Sequence, residues 1–238
     1  MLIRTVDFET TGMEPPAAIC EIGYCDIEVT LADPTTGLLQ AKVGEPHAFL
    51  VNPGHPIPPE VRAIHHISDA DVAAAGSPDI GLKQLMADEP AYFAAHNAKF
   101  EQQFFGGGTV PWLCSYKIAL RYYPDAPSHS NQTLRYLLGL DEVMGRRELA
   151  MPPHRAGPDA YVTAYLLAHM IMEAKATIED MVRWSAGPAL LPKITFGKHR
   201  GSKWEDVGSD YLEWIVNKSD LDADTKANAR HHLKKRAA

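Results

Sequence analysis

The sequence contains little cysteine, and its cysteines do not form a zinc-binding pattern. Cys20, Cys25 and Cys114 are too few and too irregularly spaced for a structural metal site. Their number is odd, and the first residues lack the basic start, apolar stretch and cleavage site of a secretion signal. Both features indicate a reducing compartment. We therefore expect a cytoplasmic protein whose three cysteines are buried core thiols.

Long apolar runs and an excess of positive charge are also missing. No segment is long enough to span a bilayer, so no membrane partner is expected. The net charge of −7 gives no support to a strongly basic nucleic-acid binder, although basic charge can be local. The segments KHRGSK (198–203) and HHLKKRAA (231–238) give the C-terminal part a modest basic bias.

The order of short apolar runs and helical patterns predicts an α/β layered domain with a mixed sheet. Residues 141–158, which are rich in proline and glycine, are predicted to form a loop. The pattern breaks near residue 187, which predicts a main domain over 1–187 and a small α+β appendage over 188–238, with a Gly-turned hairpin and two helices. Strands are predicted at 2–9, 18–29, 47–53, 91–95 and 112–115, and helices after Asn97 as cap and over 159–174.

Two acidic residues lie two positions apart in the first predicted strand. Because alternate residues of a strand point to the same face, Asp7 and Glu9 project side by side. Two adjacent carboxylates repel each other unless a cation or a proton lies between them. For this pair alone, an exposed strand face with solvated acids is the alternative. The turn that follows contains Gly12, which lets the backbone approach a ligand closely.

Two further acidic positions come later in the chain. Glu101 follows His96 and Asn97 by about one helical turn and could be a solvated helix acid. Asp159 opens a strongly apolar helix, where a negative charge favours the helix dipole. His154 precedes it in the proline- and glycine-rich loop. Each residue has an ordinary explanation when it is taken alone.

In combination, these segments resemble the DEDDh 3′–5′ exonucleases of the ribonuclease H-like superfamily. The resemblance covers most of residues 1–185 and rests on Asp-x-Glu after the first strand, HNAKFE and HRAGPD. EIGY and IHHISDADV are similar to further family segments, and MPPHRAGPDA, SNQTL and TFGKHRGSKWEDV to one group within the family. The chain departs from the family pattern at Glu101, where the family has aspartate, and at Gly157 and Pro158.

The resemblance implies a ribonuclease H-like three-layer fold and a two-metal mechanism. Two ions about 4 Å apart would be bound, with Asp7 bridging both. An oxygen-lined site without cysteine suits Mg²⁺, with Mn²⁺ able to substitute. His154 would swing in and take the proton from the attacking water, because histidine titrates near neutral pH. The implied metal ligands are Asp7, Glu9, Glu101 and Asp159.

The implied substrate is a DNA 3′ end, hydrolysed to 5′-mononucleotides. RNA 3′ ends and a binding module with weakened catalysis are the alternatives, although four retained motif residues argue against lost catalysis. Basic residues of the tail offer phosphate contacts, with a solvated turn as the alternative. A monomer is favoured, although the sequence does not determine the oligomeric state. The candidate substrate-binding residues are Thr10, Thr11, Gly12, Met13, His66 and Asn97.

Overall fold

A five-stranded mixed sheet lies at the centre of the structure, a computed structural model that describes residues 1–237. The strand order is β3-β2-β1-β4-β5. The first three strands pair antiparallel, whereas β4 pairs parallel with β1 and β5 pairs parallel with β4. The predicted α/β class with a mixed sheet is confirmed. The strands are β1 (Leu2–Thr10), β2 (Ile19–Asp33), β3 (Leu38–Leu50), β4 (Tyr92–Ala95) and β5 (Trp112–Cys114).

Helices cover both faces of the sheet and form the tail. Short 3-10 turns lie at Arg147–Ala150, Gly197–His199 and Trp204–Asp206. Among the described residues, no helix is long and apolar enough to cross a membrane. The α-helices are α1 (Pro59–His65), α2 (Asp69–Val72), α3 (Pro78–Gln84), α4 (Lys99–Phe104), α5 (Ser115–Tyr122), α6 (Asn131–Leu137), α7 (Leu140–Val143), α8 (Ala156–Met172), α9 (Ile178–Ala186), α10 (Ser209–Lys218) and α11 (Ala223–Ala237).

The alternation of β1 divides its side chains between two cores. Val6 and Phe8 are buried with Leu85 of the α3 side, whereas Ile3 is buried with the apolar residues of α8. Thr5 shares the α8 face, and its hydroxyl lies 2.9 Å from the Ala160 carbonyl oxygen. Asp7 and Glu9 continue this face toward the end of the strand. The two acids therefore point to the side of the sheet that α8 covers.

Helix α8 approaches the sheet closely at its first turn. Gly23 lies opposite Asp7 in the β1–β2 ladder. A Cβ added to Gly23 would lie 2.1 Å from the carbonyl carbon of Ala156 and 2.5 Å from the Gly157 nitrogen. Any side chain here would push the helix away. The absence of one brings the N-terminus of α8 beside Asp7.

Some local predictions are wrong. Helix α4 begins at Lys99 with Ala98 as its cap, because Asn97 adopts a left-handed backbone with φ of 70°. The predicted loop at 141–158 contains most of α7 and a 3-10 helix, whose apolar pattern is too short to show periodicity. Strand β3 begins at Leu38 rather than near residue 47, since this exposed edge strand buries few side chains. The predicted tail hairpin is reduced to a single antiparallel bridge.

The tail has a hydrophobic core of its own. Helices α10 and α11 pack together around Trp204, Leu212, Ile215 and Ala229, and Trp204 is 1% exposed. The two large cores of the main sheet contain no residue from this part of the chain. The separate core supports the predicted boundary near residue 187, which stays a prediction. The predicted burial of the three cysteines is confirmed.

Candidate active site

Three carboxylates from two elements meet at the end of β1. Asp7 and Glu9 come from the strand, and Asp159 comes from the first turn of α8. One oxygen of each lies within 4.8 Å of the others. The strand alternation and the close approach at Gly23 together produce this cluster. The predicted association of the first and third acidic motifs is therefore present in the structure.

A fourth acid, Glu101, lies near the cluster, close enough for its charge to act on Asp7. It lies on α4, directly after β4, and is 3% exposed. Its Oε2 is buried and has no hydrogen-bond partner among residues 1–237. Burial raises the pKa of the Glu101 carboxyl to about 8, and the neighbouring charge of Glu9 acts in the same direction. Glu101 is therefore not a solvated helix acid.

Burial and mutual repulsion raise the pKa values of the other three acids. Burial raises the pKa of Asp7 well above its ordinary value, with further contributions from Asp159, Glu9 and Glu101. The pKa of Glu9 rises to about 8, from burial first and then from the charge of Asp159. Burial also raises the pKa of Asp159. Such a cluster favours protons or a cation over free negative charge.

The donor set fits a hard divalent cation. It consists of carboxylate oxygens only, and one of them, Glu101 Oε2, is buried without a partner among the described residues. Oxygen ligands suit Mg²⁺, Mn²⁺ and Ca²⁺, whereas zinc and copper sites in proteins generally include nitrogen or sulfur. A bound cation would also remove the repulsion that raises the pKa values. Asp7, Glu9 and Asp159 can therefore hold a divalent metal, and Glu101 is a further buried carboxylate near Glu9.

Asp159 is oriented by neighbouring donors. Its Oδ1 accepts a hydrogen bond from the Gln132 side chain at 3.1 Å. Its Oδ2 accepts from the backbone N–H of His154 at 2.7 Å. Asn131 donates to the Asp159 carbonyl oxygen at 3.1 Å. Gln132 was not among the predicted site residues, although it belongs to the SNQTL segment that carried part of the resemblance.

His154 is exposed and has a left-handed backbone with φ of 61°. Its backbone N–H donates a hydrogen bond to the Asp159 carboxylate, so the side chain of His154 begins beside the acidic cluster. No side-chain hydrogen bond holds the imidazole among the described residues. This freedom agrees with a histidine that moves when substrate arrives.

An ion pair between a buried glutamate and a half-buried arginine anchors the loop that carries His154. Glu21 on β2 lies opposite Glu9 and is 3% exposed. Its carboxylate accepts hydrogen bonds from the Arg155 guanidinium, one of them at 3.0 Å, and from the Ala156 N–H at 2.9 Å. Sequence reasoning did not select Glu21 or Arg155. The only signal was that Glu21 opens the EIGY segment.

The turn after β1 is well ordered by its own hydroxyl groups. Thr10 Oγ1 donates to the Gly12 carbonyl oxygen at 2.7 Å. Thr11 is buried, and its hydroxyl accepts from the Ala18 N–H at 3.0 Å. Met13 follows with 70% of its surface exposed. The turn that follows Glu9 therefore presents backbone and one exposed apolar side chain next to the strand of Asp7 and Glu9.

The two remaining candidates for substrate binding lie in different places. Asn97 lines a cleft of about 530 Å³ together with His96, Tyr116, Ser128, His129 and Ser130. Asn97 precedes α4, the helix of Glu101, and Ser130 caps α6, the helix of Gln132. His66 instead is exposed at the end of α1, where it lines a shallow cleft with Pro59, Arg62 and Ala63. Its neighbour His65 is the buried member of the pair.

Known proteins that are similar to this chain are exonucleases, and the similarity extends along nearly the whole chain. The RNase_T family, described as exonuclease, matches residues 5–167. Exodeoxyribonuclease 10 of Escherichia coli (strain K12) is 30% identical over 240 residues, which cover 98% of this chain and 99% of that protein. The segments assigned above to one group within the family were those of exodeoxyribonuclease X, and the expected similarity to this group is confirmed.

Solved structures show the same fold. Exonuclease X in complex with 5′ overhanging duplex DNA is 28% identical, with a TM-score of 0.59, and covers 77% of this chain and 99% of that chain. The nuclease domain of 3′hExo, a DEDDh family member bound to rAMP, has a TM-score of 0.53 at 16% identity and covers 73% of this chain and 92% of that chain. The predicted ribonuclease H-like fold is confirmed. Since the exonuclease match spans more than half of its length, the chain belongs to the exonuclease family.

Proposed function

We propose that this chain is a divalent-metal-dependent exonuclease that removes nucleotides from DNA 3′ ends and releases 5′-mononucleotides. The convergence of Asp7, Glu9 and Asp159 within 4.8 Å, with Glu101 buried beside them, is the observation that carries the proposal. Divalent-metal dependence is general in the exonuclease family, and the carboxylate cluster is present here. We propose Mg²⁺ as the physiological ion and Mn²⁺ as a substitute.

Each acid has a distinct part in the proposed site. Asp7, Glu9 and Asp159 would hold the ions, with Glu101 as a further carboxylate ligand. When bound, the ions supply Lewis-acid activation of water and neutralise charge at the phosphodiester. Gln132 and the His154 N–H keep Asp159 in place by hydrogen bonds to its two oxygens. Glu101 has one more methylene than the aspartate of the family pattern and reaches the cluster from α4.

His154 would accept the proton of the attacking water. Its loop lies next to Asp159, and its imidazole is exposed and unrestrained by side-chain hydrogen bonds in the described part of the chain. The Glu21–Arg155 ion pair fixes the backbone on the C-terminal side of this histidine. A proton acceptor that is held at its backbone but free at its ring can reach a water molecule at the cluster.

The turn and the polar cleft would bind the last nucleotides of the strand. The backbone at Thr10, Thr11 and Gly12 would receive the terminal nucleotide, and Met13 would stack on its base or wedge beside it. Asn97 would contact the strand from the cleft on the other side of the cluster. For His66 we propose a contact further along the substrate, since it lines a separate shallow cleft.

DNA is the proposed substrate, with RNA as the alternative. The relative that matches nearly the whole chain is named an exodeoxyribonuclease, and the exonuclease X structure contains duplex DNA. The tail, residues 188–238, would hold DNA without taking part in the chemistry. It carries ten Lys and Arg against seven Asp and Glu, whereas residues 1–187 carry 13 against 23. We propose that the protein acts in the cytoplasm as a monomer.

Digestion of matched substrates tests this proposal. Single-stranded and duplex DNA and single-stranded RNA of one sequence, each labelled at the 5′ end, are incubated with Mg²⁺, Mn²⁺ or excess chelator. We expect stepwise shortening of DNA in both metals, slower shortening of RNA, and no reaction in chelator or for the Asp7→Asn variant. Faster digestion of RNA would favour the alternative substrate. Binding without digestion in either metal would favour a non-catalytic module.

A further inference from the structure

We propose that the tail carries a stacking site for unpaired bases, formed by Trp214 and Tyr211 and flanked by the basic turn at 197–200. The inference rests on the proposed action on DNA and adds to it the kind of strand that the tail selects. We define this surface, Trp214, Tyr211, Lys198, His199 and Lys218, as the stacking surface.

Trp214 lies on the outside of a small, well-packed unit. The neighbouring helix residues Leu212 and Ile215 are fully buried, whereas Trp214 is 43% exposed. It is the only large apolar side chain exposed on the described part of the tail. A tryptophan ring contributes most to packing energy when both sides of the ring are covered. An exposed indole on the polar face of a helix is therefore a place where a second planar group can pack.

Tyr211 connects Trp214 to the basic turn. The two rings stack with centroids 5.4 Å apart and an interplanar angle of 23°. Two residues of the basic turn also contact Tyr211. The His199 ring centroid is 4.5 Å from the Tyr211 ring centroid, and Lys198 Nζ lies 5.4 Å from it. Gly197 leaves room for the Tyr211 hydroxyl, which would lie 3.1 Å from an added Cβ. The basic turn is therefore fixed against the aromatic pair.

The charges around the pair suit a phosphodiester backbone. Lys198 lies against Tyr211, and Lys218 follows Trp214 by one helical turn on the exposed face of α10. Of the two acids on this helix near the pair, Asp210 folds back toward Gly208, with Oδ1 2.5 Å from the position of a Cβ there. Glu213 points away from Tyr211, since residues two apart on a helix lie on different faces.

An aromatic surface of this kind distinguishes single strands from duplexes. In a duplex, each base is already stacked on its neighbours and is covered on both faces. An unpaired base has a free face that a tryptophan ring can cover, while lysines contact the adjacent phosphates. Since residues 1–187 carry a net negative charge, the cations of the tail are well placed to attract a strand to the enzyme.

Equilibrium binding without turnover tests the proposal. Fluorescence anisotropy of a labelled dT oligonucleotide and of a duplex of equal length is measured on the full chain in excess chelator. We expect Trp214→Leu to weaken single-strand binding by about tenfold, the effect of losing one stacked base. Duplex binding should change by less than about twofold. The conservative variant Trp214→Phe retains a ring and should stay within about threefold of the parent.

Two lysine variants, one in the stacking surface and one outside it, test the contribution of charge. Lys198→Gln should weaken single-strand binding and reduce the slope of log K against log salt by about 0.7, the loss of one phosphate contact. Lys83→Gln removes an exposed lysine from α3, far from the tail in sequence, and should change neither quantity. Lys198→Gln also supplies the test if Trp214→Leu fails to reach the parental melting temperature.

The outcomes separate this inference from the proposed function. If the parent fails to hydrolyse any DNA, the proposed function is wrong, while the binding series still stands. The stacking site would be overturned if Trp214→Leu bound single strands as tightly as the parent does. It would also be overturned if Trp214→Phe lost as much single-strand affinity as Trp214→Leu, or if Trp214→Leu lost as much affinity for the duplex as for the single strand. A loss of self-association with unchanged strand binding would overturn it too and would assign the surface to a second copy of the chain.

Discussion

Gly23 lies against Ala156, the first residue of α8, so closely that a methyl group on Gly23 would come within 2.1 Å of the Ala156 carbonyl carbon. Gly23 is also the cross-strand partner of Asp7. The contact thus sets the distance between the strand that carries Asp7 and the helix that carries Asp159. A backbone position without a side chain controls the assembly of the acidic cluster.

We predict that Gly23→Ala lowers turnover by about 10²-fold, because a displacement of about 1 Å in the first turn of α8 misplaces Asp159. Overpacking should also cost about 1–3 kcal/mol in the free energy of unfolding. Single-turnover kinetics and urea denaturation measure the two effects. Gly145→Ala is the control, since an added Cβ meets nothing within 4 Å there. Equal activity of both variants would contradict the role of this contact.

The raised pKa values predict how stability depends on pH in the absence of metal. The pKa values of Glu9 and Glu101 rise from 4.5 to about 8, so the folded state holds protons that the unfolded state has released. The free energy of unfolding should therefore fall as pH rises from about 4.5 to about 8. Added Mg²⁺ should raise the melting temperature more at pH 8 than at pH 5.5, by about 3 °C or more.

Calorimetry in chelator and in Mg²⁺ across this pH range measures the effect. Glu101→Gln removes one of the two carboxyls and should flatten the pH dependence while it weakens the effect of Mg²⁺. A metal-free protein whose melting temperature rises between pH 5 and pH 8 would show that the pKa values of these buried acids are not raised. An unchanged slope in Glu101→Gln would remove that residue from the cluster.

We predict that His154→Asn lowers turnover by about 10²-fold or more and leaves DNA affinity nearly unchanged. Asparagine tolerates the left-handed backbone at this position better than alanine, so the variant removes the imidazole with little strain. The free energy of unfolding should stay within about 0.5 kcal/mol, because the side chain is exposed. Near-parental turnover at neutral pH would show that His154 is only a loop residue.

The ion pair between Glu21 and Arg155 should position the His154 loop. Arg155→Met leaves the buried Glu21 carboxylate with only the Ala156 N–H and should cost about 1–3 kcal/mol in stability, since the lost guanidinium is itself partly exposed. We expect its turnover to fall by about tenfold. The double variant Glu21→Gln/Arg155→Met should lose less than the sum of the single losses, with a coupling of about 0.5–3 kcal/mol. Additive losses in urea denaturation would mean that the pair does not act as a unit.

Local periodicity together with the family resemblance was sufficient to predict much of the site. Alternation along β1 placed Asp7 and Glu9 on one face, and the apolar length of α8 identified Asp159 at its start. The order of apolar runs and helical patterns predicted the mixed sheet, and the resemblance carried by the motifs indicated the exonuclease family; the structure and the comparisons confirm both. These features depend on neighbouring residues, which a single sequence displays directly.

The parts that were missed depend on long-range contacts. Glu21 and Arg155 are 134 residues apart, and their pairing follows from the approach of α8 to β2. Gln132 contacts Asp159 across 27 residues. Asn97 looked like a helix cap by residue type, but its left-handed backbone excludes that role. A sequence pattern carries no information on which distant polar groups meet until the packing of the elements is known.

Identification of the first released product shows whether the protein removes nucleotides from DNA 3′ ends with divalent metal. A single-stranded DNA of thymidines with one cytidine at the 3′ end is mixed with the parent protein and Mg²⁺, and products are separated by chromatography over the first turnovers. We predict that 5′-dCMP appears first, followed by 5′-dTMP, and that excess chelator or Asp7→Asn abolishes the release of both nucleotides. Initial release of dTMP, of nucleoside 3′-monophosphates or of internal fragments, or undiminished release in chelator, would contradict this prediction.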